Sequence, residues 1–172
     1  ILEEQDGTPV ALLGPFSNSS DAEITEVSYP PEAKIDLGSE YEGLTGPIGW
    51  RVLELQQGRQ LTVPEQVAPP RSLFYAVQYV WCPQETDAYL LAGHQGGIQA
   101  WINEDRVIDF HGSHARQFRP DAAQGLGHLK EGWNRILVKV ESASPGGVTV
   151  QFRLVHPDRQ PIPGLKFSVH GS

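Results

Sequence analysis

At 172 residues the chain has the length of one domain, enough to bury roughly 70% of the surface its unfolded form would expose. Its 13 Lys plus Arg against 21 Asp plus Glu give a net charge of −8, which repels nucleic acid phosphates and anionic membranes, so no nucleic acid partner is expected. The single cysteine, Cys82, excludes an intrachain disulfide and a cysteine-rich metal site, and no apolar run approaches the roughly 18 residues that membrane insertion needs.

Residues 1–8 are acidic and polar and read as linker, 9–170 as one domain, and 171–172 as an expression remnant. With no methionine and Ile1 at its start, the chain is read as an excised domain of a longer protein. The 18 Gly and 14 Pro are scattered so that few stretches could hold a helix, and the apolar pattern has period two, which predicts an all-β domain. The clearest predicted strands are 10–16, 48–55, 73–82, 88–92, 97–103, 135–141 and 148–155. Shorter ones are 24–29, 59–63, 115–118 and 165–169, and the Pro-rich 64–71 reads as a connector.

Residues 73–82 are apolar on both faces: Leu73, Tyr75, Val77, Tyr79 and Trp81 on one, Phe74, Ala76 and Val80 on the other. That strand is expected to be central and covered on both sides, with Cys82 a buried, inert thiol and Trp50 and Trp81 core residues. The stretch 89–108 reads as two strands joined by the turn Gly93-His94-Gln95-Gly96-Gly97 and closed by a polar turn. Within it Ile98, Ala100 and Ile102 point one way, and Gln99, Trp101 and Asn103 the other. Ile136, Val138 and Val140 alternate with Arg135, Lys139 and Glu141, as Val148, Val150, Phe152 and Leu154 do with Thr149, Gln151 and Arg153. The turn Ser144-Pro145-Gly146-Gly147 predicts a hairpin between these two strands. Ile98, Ile136, Val138, Val150 and Phe152 are expected in one core. If 148–155 lies at a sheet edge, it could pair with a partner chain. About ten short strands without crossover helices predict two packed antiparallel sheets, a β-sandwich of jelly-roll type first and of immunoglobulin type second.

The order LLGPF at 12–16, a Gly-rich turn running into AWIN at 100–103, LKEGWNRILVKVE at 129–141 and VQFRLV at 150–155 resembles galactose-binding-like β-sandwich modules. Such modules accompany secreted bacterial enzymes and surface proteins, and the chain is similar in style to protective-antigen-like modules and to the sugar-binding domains of β-galactosidase-type hydrolases. The resemblance covers most of the chain from Leu12 onward and implies a jelly roll with a sugar-binding or accessory role. The segment LKEGWNRILVKV reports fold, because its residues serve turn geometry and packing. Members often carry acidic residues, usable for calcium, in the turn before the W-x-N strand, where this chain has Gly93-His94-Gln95-Gly96-Gly97. They often have Asn-Gly after the tryptophan, where this chain has Asn103-Glu104-Asp105.

A sugar site needs an aromatic face for the C–H side of a pyranose and polar groups for its hydroxyls. Trp101 with Gln99 and Asn103 supplies that chemistry on one strand face, extended by His94 and Gln95. The competing reading buries Trp101 under a loop. Trp133 sits in a turn and reads as a plug at the sandwich end. His111 and His114 beside Asp109 and Asp121 lie in loop context, where a structural or surface role outweighs zinc binding. Asp21, Glu23 and Glu26 are either exposed loop acids or neighbours of a structural calcium; no other cofactor is expected. No Ser/His/Asp arrangement has motif context, so the chain is not read as an enzyme. The expectation is a noncatalytic carbohydrate-binding accessory module of an exported protein, placed extracellularly, in the periplasm or at the cell surface. Its rival is a structural or interaction module that docks or spaces a neighbouring domain.

Overall fold

The computed structural model describes residues 7–18, 27–111, 117–143 and 146–171. Among them are the strands β1 (Pro9–Ser17), β2 (Glu40–Glu42), β3 (Pro47–Gly49), β4 (Arg51–Glu54), β5 (Gln60–Val63), β6 (Ser72–Cys82) and β7 (Thr86–Gly93). They continue with β8 (Ile98–Ile102), β9 (Asp105–Phe110), β10 (Ala123–Leu129), β11 (Gly132–Glu141), β12 (Val148–Val155) and β13 (Lys166–Ser168). Helix among the described residues is limited to 3-10 turns at Pro30–Glu32 and Gln57–Arg59.

The strands build an all-β sandwich of two antiparallel sheets. One has the order β4-β1-β6-β11-β8-β9, the other β10-β7-β12-β5, and β2 pairs β3 apart from both. The long β6 shares one flank between β1, along 72–77, and β13, along 79–81. Stripped of β1, β4 and β13, the sheets read β6-β11-β8-β9 and β5-β12-β7-β10, which is the jelly-roll order of eight strands.

Two expected hairpins are sheet crossings instead. β7 lies in the small sheet and β8 in the large one, so the glycine-rich turn between them bridges the sandwich. β11 and β12 are split likewise, and residues 144–145 of their connection lie outside the described ones. A short Gly-rich connection can close a hairpin or span the ~10 Å between packed sheets, and alternation along the strands is the same in either case. β12 is interior, between β7 and β5, so it presents no open edge. The predicted strand at 48–55 is broken at Trp50 into β3 and β4, which belong to different sheets. Residues 27–29 and 117–118 are not strand, and the remainder of those two predicted strands lies outside the described residues. β2, β9 and β10 were not expected.

Between the sheets lies the main core, and Ile98, Ile136, Val138, Val150 and Phe152 are all in it, as their alternation requires. At one end Arg59 is buried, donating to the Phe152 carbonyl at 2.7 Å, Thr8 Oγ1 at 2.9 Å and Gln78 Oε1 at 2.7 Å. Thr8, read with the linker, is thus tied to the sandwich body, as is Gly7, whose N–H donates to the Leu55 carbonyl at 2.8 Å. Along one side β10 meets β9 so closely that a Cβ at Gly125 would sit 1.9 Å from the Val107 carbonyl oxygen, so only glycine lets the two sheets close there.

The outer face of the large sheet carries a second core. Ala11, Leu13, Phe16, Leu73, Tyr75, Val77 and Leu137 are buried under side chains of the 27–50 excursion, among them Tyr29, Ile35, Leu37, Tyr41 and Trp50. Tyr29 stacks on Phe16 with ring centres 4.2 Å apart. Lys139 is buried in this layer. Its ammonium meets Glu32 Oε2 at 3.0 Å and the Val27 carbonyl, and the Tyr75 hydroxyl donates to the same carboxylate oxygen at 2.5 Å. Burial, then the hydrogen bond to Glu32 and its negative charge, push the Tyr75 hydroxyl far above the ordinary tyrosine range, so it stays a donor.

Removing one partner of a buried ion pair leaves a stranded charge, which costs about 3–5 kcal/mol, whereas replacing both by apolar residues is close to neutral. Glu32→Leu alone is therefore expected to lower the unfolding free energy by about 3 kcal/mol, and Glu32→Leu with Lys139→Met to recover most of it. Urea denaturation of the three proteins checks this; a single variant as stable as the double would show that Lys139 is solvated.

Candidate functional site

The excursion covers only part of the large sheet's outer face. Strand alternation places Trp133, Arg135, Leu137 and Lys139 of β11 on that face, with Tyr75, Val77, Tyr79 and Trp81 of β6 beside them. Register then fixes the rows: Trp81 lies between Trp133 and Lys166, Tyr79 between Arg135 and Ser168, and Leu137 between Val77 and Trp101. Directly opposed side chains have Cβ atoms about 4.5–5.5 Å apart, so Trp81 and Trp133 are neighbours.

Burial changes across these rows. Tyr75, Val77 and Leu137 are buried, Tyr79 and Trp101 lean on the outer core as half-buried rings, and Trp81 and Trp133, also half-buried, belong to neither core. The result is a strip of four partly exposed aromatic side chains, roughly 13 Å long by strand rise from the Trp133 row to the Trp101 row. Lys166 is exposed, its ammonium 4.6 Å from the centre of the Trp81 ring, a cation–π contact at the strip's end. A β-bulge sets Trp101: Ala100 pairs Ile108 but Trp101 pairs Arg106, and the skipped residue Val107 re-aims the strand at this point.

The end of the strip is fixed by amides. Asn134 is 1% exposed and donates its Nδ2 to the carbonyls of Lys130 at 2.9 Å and Gly132 at 3.1 Å, while its Oδ1 accepts from Lys130 N at 2.8 Å and Asn103 Nδ2 at 3.0 Å. Asn103 Oδ1 in turn accepts from Arg135 N at 3.0 Å, and the Asn103 carbonyl accepts from Arg135 Nη2 at 3.0 Å. Both turns need backbone with positive φ, +94° at Gly132 and +55° at Asn103, which explains the residue types there.

Of the residues named from sequence, Trp101 is half-buried at the strip's upper end. Gln99 points to the same face, but it is 2% exposed and donates to Asp109 Oδ1 at 3.2 Å. Asn103 is spent on the turn network. His94 is 1% exposed, with Nδ1 2.7 Å from the Gly96 carbonyl oxygen and its ring 5.0 Å from that of Phe110; Gln95 is half-buried in the same crossing. The structure therefore brings Trp101 together with Tyr79, Trp81 and Trp133, and sets Gln99, His94 and Asn103 into buried or structural contacts. Trp81, expected in the core, and Trp133, expected as an end plug, stand instead on the outward face. Trp50 is half-buried against the outer core.

The histidine–aspartate constellation does not assemble among the described residues, where no three metal-ligating side chains converge. Asp109 is engaged by Arg106 at 3.4 Å, and Asp121 by Arg153 at 2.6 Å and by Gln151 at 2.8 Å. Burial raises the Asp121 carboxyl, but the hydrogen bonds from Arg153 and Gln151 outweigh it and hold it below the ordinary range. His114 and the calcium candidates Asp21, Glu23 and Glu26 lie outside the described residues. No described helix is long and apolar enough to cross a membrane.

No family model and no curated protein matches this chain. Among solved structures it is similar to a β-glucosidase from Kluyveromyces marxianus, in a selenomethionine-labelled form at 13% identity and TM-score 0.49, and in complex with glucose at 16% identity and TM-score 0.46. Each likeness covers 86% of this chain, which spans only 16% and 15% of the two longer chains. At these scores the likeness carries nothing about ligand or activity.

The geometry inverts the usual ranking of a tryptophan over an asparagine. Asn134→Ala strands several buried backbone and side-chain groups at ~1–3 kcal/mol each and is expected to cost about 3 kcal/mol. Trp133→Ala, losing a ring that is only partly buried, is expected to cost about 1–2 kcal/mol, short of the ~3–5 kcal/mol of a core truncation. Thermal melts of both variants check this, and a Trp133→Ala loss exceeding that of Asn134→Ala would place the indole in the core.

Proposed function

We propose that the chain is a noncatalytic accessory module of a larger exported protein and holds carbohydrate on the aromatic strip of its large sheet. The observation that carries this is the cross-strand pair Trp81 and Trp133, outward-facing, only partly buried and in neither core, continued by Tyr79 and Trp101. Burying a ring of this size is worth a few kcal/mol. Four rings left partly wet on one face supply contact area for a ligand, and pyranose C–H faces fit flat aromatic surfaces. Polar contacts would come from Arg135 and Lys166, with Trp101 as the retained member of the sequence-derived set. The galactose-binding-like resemblance supports the same reading, together with an extracellular, periplasmic or cell-surface setting. Rings and cations on a sheet face offer binding area, and recognition of this kind needs no cofactor.

Tryptophan, tyrosine and arginine are also the residues that dominate protein–protein interfaces, so docking of a neighbouring domain uses the same surface. Titration calorimetry against a panel of neutral and acidic oligosaccharides separates the two. An open strip should bind with a dissociation constant of order 0.1–1 mM, since few groups immobilise the sugar. Trp81→Ala is expected to weaken binding at least about tenfold, the loss of one ring contact of ~1.5 kcal/mol, in a protein that still folds and melts no lower than Trp133→Ala. Binding to no glycan in the panel would favour docking.

A further inference from the structure

The charge on the strip runs against the charge of the chain. Acidic residues outnumber basic ones by 21 to 13, yet the charged side chains that register sets beside Trp81, Trp133 and Tyr79 are Arg135 and Lys166. Arg106, which register sets opposite Trp101, meets a carboxylate, as do Lys139 and Arg153 elsewhere on the sandwich. Arg135 and Lys166 meet none among the described residues: Arg135 spends Nη2 on a carbonyl and leaves Nε buried without a hydrogen-bond partner, and Lys166 lies over an indole. An arginine held beside tyrosine and tryptophan has lost part of its hydration, and that loss is recovered only when an anion arrives.

We propose that the ligand of the strip is an acidic glycan, a polysaccharide carrying uronate carboxylates or sulfate esters, whose rings stack on Trp81, Trp133 and Trp101 and whose anions meet Arg135 and Lys166. This rests on the carbohydrate reading above and specifies its chemistry. By strand spacing and rise the two cations stand on backbone positions roughly 12 Å apart, so one polymer charged at intervals touches both. An acidic peptide fits less well. The rings stand on the interior strands β6, β11 and β8, and the edge strand beside them, β13, is only three residues long and offers a peptide backbone little to pair with.

The test is calorimetry on the whole 172-residue chain with three hexasaccharides: galacturonic acid, sulfated galactose and unmodified galactose. At about 50 mM salt one or both acidic hexamers should bind about tenfold more tightly than the neutral one, the sum of two exposed ion pairs, and the gap should close near 1 M salt, where the Debye length is ~3 Å. Which acidic hexamer binds tells carboxylate from sulfate. Lys166→Gln should weaken the acidic hexamer about threefold to fivefold more than it weakens the neutral one, with Arg135→Gln doing the same if it melts with the parent. Equal binding of acidic and neutral hexamers overturns this inference and leaves the carbohydrate reading standing. Binding of none overturns both. Hexaglutamate binding as tightly as the acidic hexamers, or acidic binding that survives Trp81→Ala, shows charge alone at work and overturns the glycan assignment.

Discussion

The fold turns on one strand that is apolar on both faces. β6 pairs β1, β11 and β13, and its side chains from Ser72 to Gln78 are buried whichever way they point. A sheet with such a strand at its centre needs two covers. The small sheet provides the inner one, and on the outer side the chain supplies an excursion, 27–50, between β1 and β4, whose paired strands among the described residues are the three-residue β2 and β3. That cover is irregular, and its polar groups have to be met one by one. Lys139, Glu32 and Tyr75 do this at its centre, at the cost of desolvating an ion pair. The candidate site is the remainder: the cover ends at Tyr79 and Trp101, and the sheet continues past it to Trp81 and Trp133.

A platform is useful to a weak ligand only if it costs nothing to organise. The strip satisfies this through its backbone. Three of its rings project from β6 and β11, which pair with each other from Gly132 and Cys82 to Glu141 and Leu73, and Trp101 projects from β8, which β11 also pairs. The Asn134 and Asn103 amides then tie the turns before β11 and after β8 to one another. The resemblance motif LKEGWNRILVKV is explained by this: its asparagine builds the turn, its glycine takes the positive φ, and its tryptophan is delivered outward beside Trp81. Sites carried on regular strands keep their geometry more faithfully than sites on loops.

Alternation alone made the sandwich, its shared core and the central β6 legible, because period two records which face of a strand is dry. It did not record which sheet a strand joins, and so the β7–β8 and β11–β12 crossings looked like hairpins. β9 and β10 escaped because their patterns are diluted, β9 by charges at Asp105, Arg106 and Asp109, β10 by Gly125 and Gly127. The site was half legible for a related reason. Alternation correctly sent Gln99 and Trp101 to the outer face, while Trp81 read as core and Trp133 as an end plug, because whether an outer face is wet depends on how far a cover reaches. Gln99 came out buried and Trp81 half-open, and nothing local to either residue announces that difference.

A chain of net charge −8 with an acidic ligand is not a contradiction, because the two charges act over different distances. The net charge acts through solvent, where at physiological salt it decays over about 8 Å. Arg135 and Lys166 act at contact, next to indole and phenol rings that displace water and lower the local dielectric. Within a few ångströms the cations therefore dominate, while beyond a Debye length the ligand meets a weakly repelling surface that slows its approach. A site built this way discriminates by what its ligand carries at the points of contact and gains little from long-range attraction, so it captures slowly and weakly per site. Repeating charged units along one polymer offset that weakness, since each additional engaged module raises the effective concentration for the next.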